Sequence, residues 1–276
     1  MADSANSSAE RSDLQLAGRT VLAVFAHPDD ESLACGGTLA RLADAGVRVI
    51  LMCASHGEAG SISDAALVPD GDLGGVRTRE LRDAAAILGV SEVIVLDHSD
   101  GNLRWKDAPQ FENEIIDAVR RNHVDAVITF DEDGLYWHID HIGVHDRTWD
   151  AVASMGADAP PLYFVTMQRG VMRGIVEAAQ LKSGITSASS FWGITPDAFG
   201  LSAPAPSFVI DVRAWVPRKL AALHCHRTQM GPNNPMAWIG DAEARRWLGI
   251  EQFRRAPIEA SGEPLLEYLG EAQHAE

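Results

Sequence analysis

Residues 21–31 read V-L-A-V-F-A-H-P-D-D-E, an apolar run that stops at an imidazole, a proline and three carboxylates. That set can handle a metal ion and a proton. His27 and Asp30 are spaced so that both side chains can reach one ion, which leaves Asp29 between them free for other work. Acids at a helix start also favour its dipole and satisfy its free N–H groups, and capping accounts for one or two of the three. It gives no reason for an imidazole three positions ahead of Asp30. A second set, His138-Ile139-Asp140-His141, lies far along the chain. If a helix begins there, His138 and His141 share a face, so one could ligate a metal while the other faces the reacting atom. Asp140 could then orient a neighbouring imidazole.

Two strand ends must present these sets. The run before His27 is the pattern of a strand buried on both faces, and ligands of open α/β sheets collect beyond the carboxyl ends of such strands. The spacing predicts a helix from there to Ala45-Gly46 and further strands at 47–54, 92–96, 124–130, 162–166 and 207–211. It predicts helices at 77–89, 111–121 and 216–225 between them, with Gly89 as a C-cap. Strands alternating with helices at short intervals imply right-handed βαβ units, hence a Rossmann-like, doubly wound, mostly parallel α/β sheet with helices on both faces. Residues 59–75, rich in Gly, Asp and Ser, read as a loop on the face of His27. From 168 to 206 the pattern dissolves into Gly, Ser, Pro and isolated aromatics, which suggests a lid or insert. The final fifty residues are acidic, with Pro232-Asn-Asn-Pro235 breaking any regular element. The expected organisation is a frayed tail over 1–18 and one domain over 19–276.

With 276 residues the chain can bury a large core, and its net charge of -16 argues against nucleic acid or an anionic membrane as partner. There is no apolar run of membrane length, and residues 1–18 lack the basic and apolar regions of a secretory signal. Three cysteines, Cys35, Cys53 and Cys225, fit a reduced, cytoplasmic protein without a disulfide framework. A homo-oligomer is left open.

Together the motifs resemble the LmbE-like, or PIG-L-like, zinc de-N-acetylases. The resemblance rests on A-H-P-D-D-E at 26–31 with Gly36-Gly37-Thr38, on Ser55-x-Gly57-Glu58, and on Arg77-x-x-Glu80 with Leu88-Gly89. It continues with His138 to His141 and with Lys219 followed by His226-Arg-Thr-Gln229. Ile139 stands where the family usually has Pro, Trp137 where Gly is common, and Thr228 where it has Ser. The resemblance implies that His27, Asp30 and His141 bind Zn2+ (in the cell, alternatively Fe2+), that Asp29 is the general base and that His138 assists at the scissile carbonyl. Two imidazoles and a carboxylate leave a position for water, as a catalytic zinc requires. On this reading Asp140 holds a protonated His138, Tyr136 donates to the same oxyanion, and Arg77, Asp100 and Glu58 bind substrate hydroxyls. The implied substrate is a small amino sugar of the N-acetylglucosamine type or its conjugate, losing its acetyl group. An amidase acting on a larger thiol-conjugate amide is an alternative. A non-catalytic Rossmann-like binding module is a weaker one, because carboxylates occupy the first βα turn where a nucleotide site would expose N–H groups. His56, His98, His123, His145 and His224 read as surface or satisfied core histidines.

Overall fold

The computed structural model describes residues 15–183 and 189–272. Six consecutive buried residues form β1 (Thr20–Phe25), and it lies between two parallel neighbours, β2 (Arg48–Cys53) and β4 (Ala126–Phe130). A strand covered on both faces gains most from apolar side chains at every position, which is why the run is unbroken. Beyond β2 lies β3 (Glu92–Val95), and beyond β4 lies β5 (Leu162–Thr166), each parallel to its neighbour. The chain winds from β1 outward through β2 and β3, then returns to the other side of β1 for β4 and β5. That reversal opens a crevice past the carboxyl ends of β1 and β4.

The sheet continues with three antiparallel strands, β7 (Ile250–Arg255), β6 (Phe208–Asp211) and β8 (Glu271–Ala272), in the order β3-β2-β1-β4-β5-β7-β6-β8. Helices α1 (Asp30–Asp44), α2 (Leu73–Leu88) and α6 (Val216–Cys225) pack on one another, while α3 (Ala108–Asn122) packs on α4 (Ile139–Ser154). The expected α/β class is what forms. Two expectations need correction. The 168–206 segment is not free of regular structure, since it contains a helix, α5 (Val171–Ser183), packed on α7 (Asp241–Leu248); residues 184–188 of it lie outside the described residues. The last fifty residues contain α7 and β7 and are not irregular. Of the expected tail, residues 1–14 lie outside the described residues, whereas Leu16 is fully buried and the Gly18 N–H donates to Gly46 O at 3.0 Å. Among the described residues no helix is long and apolar enough to cross a membrane.

The antiparallel extension is fastened to the helix that carries Asp30. The α1 backbone is non-helical at Cys35 (φ -144°), which takes following N–H groups out of the regular ladder. Those of Gly37 and Thr38 donate instead to the Glu251 carboxylate of β7, at 2.9 and 2.7 Å. Gly37 has to be glycine, since a Cβ there would lie 2.5 Å from Val212 Cγ2. Lys219 Nζ completes the carboxylate's shell at 2.6 Å, and both charged side chains are 2% exposed. Removing one member of such a pair leaves an uncompensated buried charge. Lys219→Ala is therefore expected to destabilise the fold by about 3–5 kcal/mol, read from the denaturant midpoint. A loss below about 1 kcal/mol would show that the pair is a bystander.

Candidate active site

Backbone geometry delivers the first set. Asp29 occupies the N-cap of α1 at φ 121°, a conformation uncommon for any residue with a side chain. Its N–H donates to Glu31 Oε2 at 3.1 Å. Glu31 in turn is pinned by Ser32 Oγ at 2.5 Å and by His226 Nε2 at 3.0 Å, both onto Oε1. The Asp29 carboxylate makes no capping hydrogen bond, so capping does not account for it. Arg77 Nη2 lies 3.5 Å from it. Burial pushes Asp29 up to about 6, against the pull of Arg77, which places it near the range a general base needs at neutral pH.

The second set starts α4. His138 is its N-cap, and the Nδ1 of His138 accepts from the Asp140 N–H at 3.3 Å, so the ring's proton sits on Nε2. Burial together with the His141 and His27 rings holds His138 down to about 4, so it is a neutral donor. The turn before it, Gly134–Trp137, is strained: Leu135 and Trp137 both have φ 66°. Trp137 thus holds a left-handed backbone at the position where Gly is common in the resembled motif. This turn places Tyr136 against the cleft, its ring 4.5 Å from that of Phe199. Burial and the nearby Asp30 and Asp29 carboxylates raise the Tyr136 hydroxyl well above its usual range, so it stays a donor.

His27, Asp30 and His141 converge. Asp30 Oδ2 is 3.4 Å from His27 Nδ1, and Asp30 Oδ1 is 3.1 Å from His141 Nε2. Ligand atoms of His27, His138 and His141 also lie within 4.8 Å of one another, as do those of His27, Asp100 and Asp140. His141 Nδ1 lies 3.1 Å from Gly134 O, which can only accept, so Nδ1 is the protonated nitrogen and Nε2 carries a lone pair. That Nε2 is buried without a hydrogen-bond partner although a carboxylate oxygen lies 3.1 Å away. A lone pair set against a carboxylate is repulsive unless a cation lies between them. His27 has the matching arrangement: Nε2 faces Asp100 Oδ1 at 3.0 Å and Asp140 Oδ2 at 3.2 Å, which turns Nδ1 toward Asp30. The residues fit a divalent metal.

The remaining candidates divide. Asp140 does orient an imidazole, but that imidazole is His27. Its carboxylate accepts from the Gly101 and Leu103 N–H groups at 2.6 and 3.0 Å and reaches His27. The expectation that it holds a protonated His138 is corrected. Arg77 lines the cleft, with Nη1 and Nη2 donating to Gly57 O and Pro28 O at 2.8 and 2.6 Å, so it frames the site first. Asp100 is in the cleft as expected, although it touches His27 and accepts from the Ala59 N–H at 2.8 Å; burial raises its pKa, and His27 more than offsets that, bringing it to about 2. Glu58 is not in the cleft. It accepts from the Asp100 N–H at 3.0 Å and lines a neighbouring groove with His56.

The cleft itself is a cavity of about 390 Å³. Trp192, Ile194, Gln229 and Ser61 also line it and were not singled out from the sequence as site residues, although Gln229 stood in the quoted late motif. Trp192 had only the weak signal of an aromatic beside glycine in a polar stretch. The histidines set aside are all satisfied elsewhere or exposed: His56 between Thr78 and Asp97, His98 on Glu114, His145 on Phe130 O, His224 on Met236 O, with His123 exposed at the end of α3.

The model of one family, described as PIG-L: GlcNAc-PI de-N-acetylase, matches residues 22–152. Over 263 residues the chain is 31% identical to a 1D-myo-inositol 2-acetamido-2-deoxy-alpha-D-glucopyranoside deacetylase of Acidothermus cellulolyticus, spanning 85% of this chain and 88% of that one. It is 32% identical over 268 residues to the protein of the same name from Thermobispora bispora, spanning 86% and 88%. In structure it is similar to the N,N'-diacetylchitobiose deacetylase of Pyrococcus horikoshii, with a TM-score of 0.60, 23% identity and coverage of 87% and 84%, a likeness of fold. Identity and coverage of this extent with whole relatives, over the segment that holds both histidine sets, mean that the chain belongs to the PIG-L de-N-acetylase family.

Proposed function

We propose that this chain is a zinc-dependent deacetylase that hydrolyses the acetamide of an N-acetylglucosamine-type amino sugar, with His27, Asp30 and His141 holding the ion. The observation that carries the reading is the buried, unpartnered His141 Nε2 facing Asp30, with the uncapped Asp29 carboxylate next in sequence. A bound zinc supplies Lewis acidity that polarises the acetamide carbonyl and brings the pKa of water toward about 7. Asp29 accepts the proton of the attacking water. The His138 Nε2–H and the Tyr136 hydroxyl, both bordering the cleft, donate to the oxyanion as the carbonyl becomes tetrahedral. The C–N bond then breaks, and the proton held by Asp29 passes to the leaving amine, giving acetate and a free amino sugar. Arg77 keeps Asp29 in place and opposes the rise that burial imposes on it. Asp100 and Asp140 fix the His27 ring, the role of partners behind a ligand.

Acetate release tests this reading. Protein reconstituted with zinc is expected to free acetate from N-acetylglucosamine glycosides, and exhaustive chelation is expected to abolish it, with activity returning on adding zinc. Full activity after chelation, with residual metal excluded by elemental analysis, would overturn it.

A further inference from the structure

The base of the reaction stands where a carboxylate is ordinarily spent on a helix end. Aspartate is a favoured N-cap because its side chain accepts an N–H of the first turn while its own backbone is extended. Asp29 caps α1 in a different state: its φ is 121°, and its carboxylate accepts no N–H of the turn. The missing cap bond and the positive φ both favour relaxation to the ordinary cap, which would draw the proton acceptor onto the backbone. The surrounding structure has to prevent that.

The restraint acts on the Asp29 N–H, which donates to Glu31 Oε2 at 3.1 Å. Glu31 is fully buried, and its Oε1 receives Ser32 Oγ at 2.5 Å and His226 Nε2 at 3.0 Å. Ser32 belongs to the same helical turn and moves with it. Among the described residues, His226 is the one hydrogen-bond partner that reaches the Glu31 side chain from another element. It stands at the end of α6, where its carbonyl oxygen accepts the Gln229 and Met230 N–H groups at 2.9 Å each. Thr228, two residues on, gives its N–H and its hydroxyl to Glu80 of α2 at 2.9 and 2.6 Å. Arg77, 3.5 Å from the Asp29 carboxylate, is on the same helix. Thus α2 steadies Asp29 twice, directly at the side chain and through the 226–230 loop at the backbone.

Packing alone gives no reason for an imidazole at 226. The ring is fully buried and its Nδ1 has no hydrogen-bond partner, a loss that an apolar side chain of similar size would avoid. Nor is a buried pair of this kind good evidence of stability, since apolar replacement of both members is often neutral or better. What the pair does supply is a fixed direction for Glu31.

We propose that His226 is a positioning residue for deacetylation: by fixing Glu31 it holds the Asp29 backbone in the strained conformation that keeps the base off the helix end; the proposal rests on the deacetylase reading. His226 does not line the cleft, so it acts only through Glu31.

The test compares His226→Gln with His226→Asn, two amides of which the longer can place a donor where the imidazole Nε2 stood and the shorter cannot. Acetate release by the zinc-loaded proteins gives kcat and KM, elemental analysis gives zinc content, and the denaturant midpoint shows that each is folded. His226→Gln is expected to keep kcat within about fivefold of wild type, and His226→Asn to lower it roughly 30-fold or more, with KM within about twofold and zinc retained. His226→Met, which fills the space without a donor, replaces the shorter amide if that variant does not fold. In the Asp29→Asn background, His226→Asn is expected to cost less than about twofold more, because the base it serves is already gone. A crystal structure of the His226→Asn protein is expected to show Asp29 at negative φ with its carboxylate on an N–H of the first turn. Equal losses in the two amide variants, zinc lost in step with kcat, an additive loss in the Asp29→Asn background or an unchanged Asp29 backbone would each overturn the proposal and leave the deacetylase reading intact. Wild-type protein that frees no acetate would remove that reading, and this proposal with it.

Discussion

Asp29→Asn is expected to lower kcat by roughly 10²- to 10⁴-fold while the protein keeps its fold and its metal. Asparagine preserves the shape of the side chain and tolerates positive φ nearly as well as aspartate, so the unusual backbone at φ 121° survives the change. The Asp29 N–H still reaches Glu31, because that bond is made by the backbone. What is lost is a carboxylate that makes no capping hydrogen bond, so the change removes a proton acceptor together with its charge pairing to Arg77. Metal content by elemental analysis alongside kcat and KM separates the outcomes. Metal lost in step with activity would make Asp29 a ligand, and kcat near the wild-type value would move the base elsewhere.

His141→Ala is expected to abolish metal retention, lowering affinity by more than about 100-fold and activity with it. The ring also stacks on Phe130 at 4.1 Å between centroids and reaches Gly134 O, so some stability is lost as well. Circular dichroism and a denaturant midpoint distinguish a folded, metal-poor protein from an unfolded one. His141→Gln, which retains a polar side chain of similar reach, provides the control. A folded His141→Ala protein with one equivalent of zinc would rule His141 out as a ligand.

Most of the parallel half of the fold was legible because a doubly covered strand must be apolar throughout. Expectation and structure agree residue for residue at β5 and α6. Of the antiparallel half β6 was legible, as a strand expected at 207–211, but α5 and β7 were not, for two physical reasons. In α5 the buried Met172, Ile175, Val176 and Ala179 keep helical spacing, but Gly170 and Gly174 disguise it. Gly174 is there because a Cβ would press into the Trp247 ring at 2.3 Å. In β7 the sequence I-E-Q-F-R-R looks like surface, because its charges find partners inside: Glu251 on Lys219 and Arg254 on Asp131.

The site shows the same division. Residue type and spacing were enough to bring His27, Asp30 and His141 together, since each stands at a strand end or helix start on one crevice. Which imidazole Asp140 would serve could not be read from adjacency. His138 is two residues away in sequence, but at the start of α4 the carboxylate turns toward the loop at Gly101 and Leu103, and that choice is tertiary. Trp192 depends on a turn whose anchor, Phe199 against Tyr136, no local pattern reveals.

Two buried carboxylates of the first hundred residues find their counterparts only late in the chain, Glu31 in His226 and Glu80 in Thr228, and the Gly37 and Thr38 amides find theirs in Glu251. A ribosome adding about 5–20 residues per second completes the segment holding both histidine sets several seconds before it reaches residue 251. During that interval the start of α1 lacks the His226 contact that steadies Glu31 and, through it, the Asp29 backbone. The nascent chain therefore carries both histidine sets before the Asp29 backbone is steadied, and a finished site is expected only once the chain has been made through residue 251.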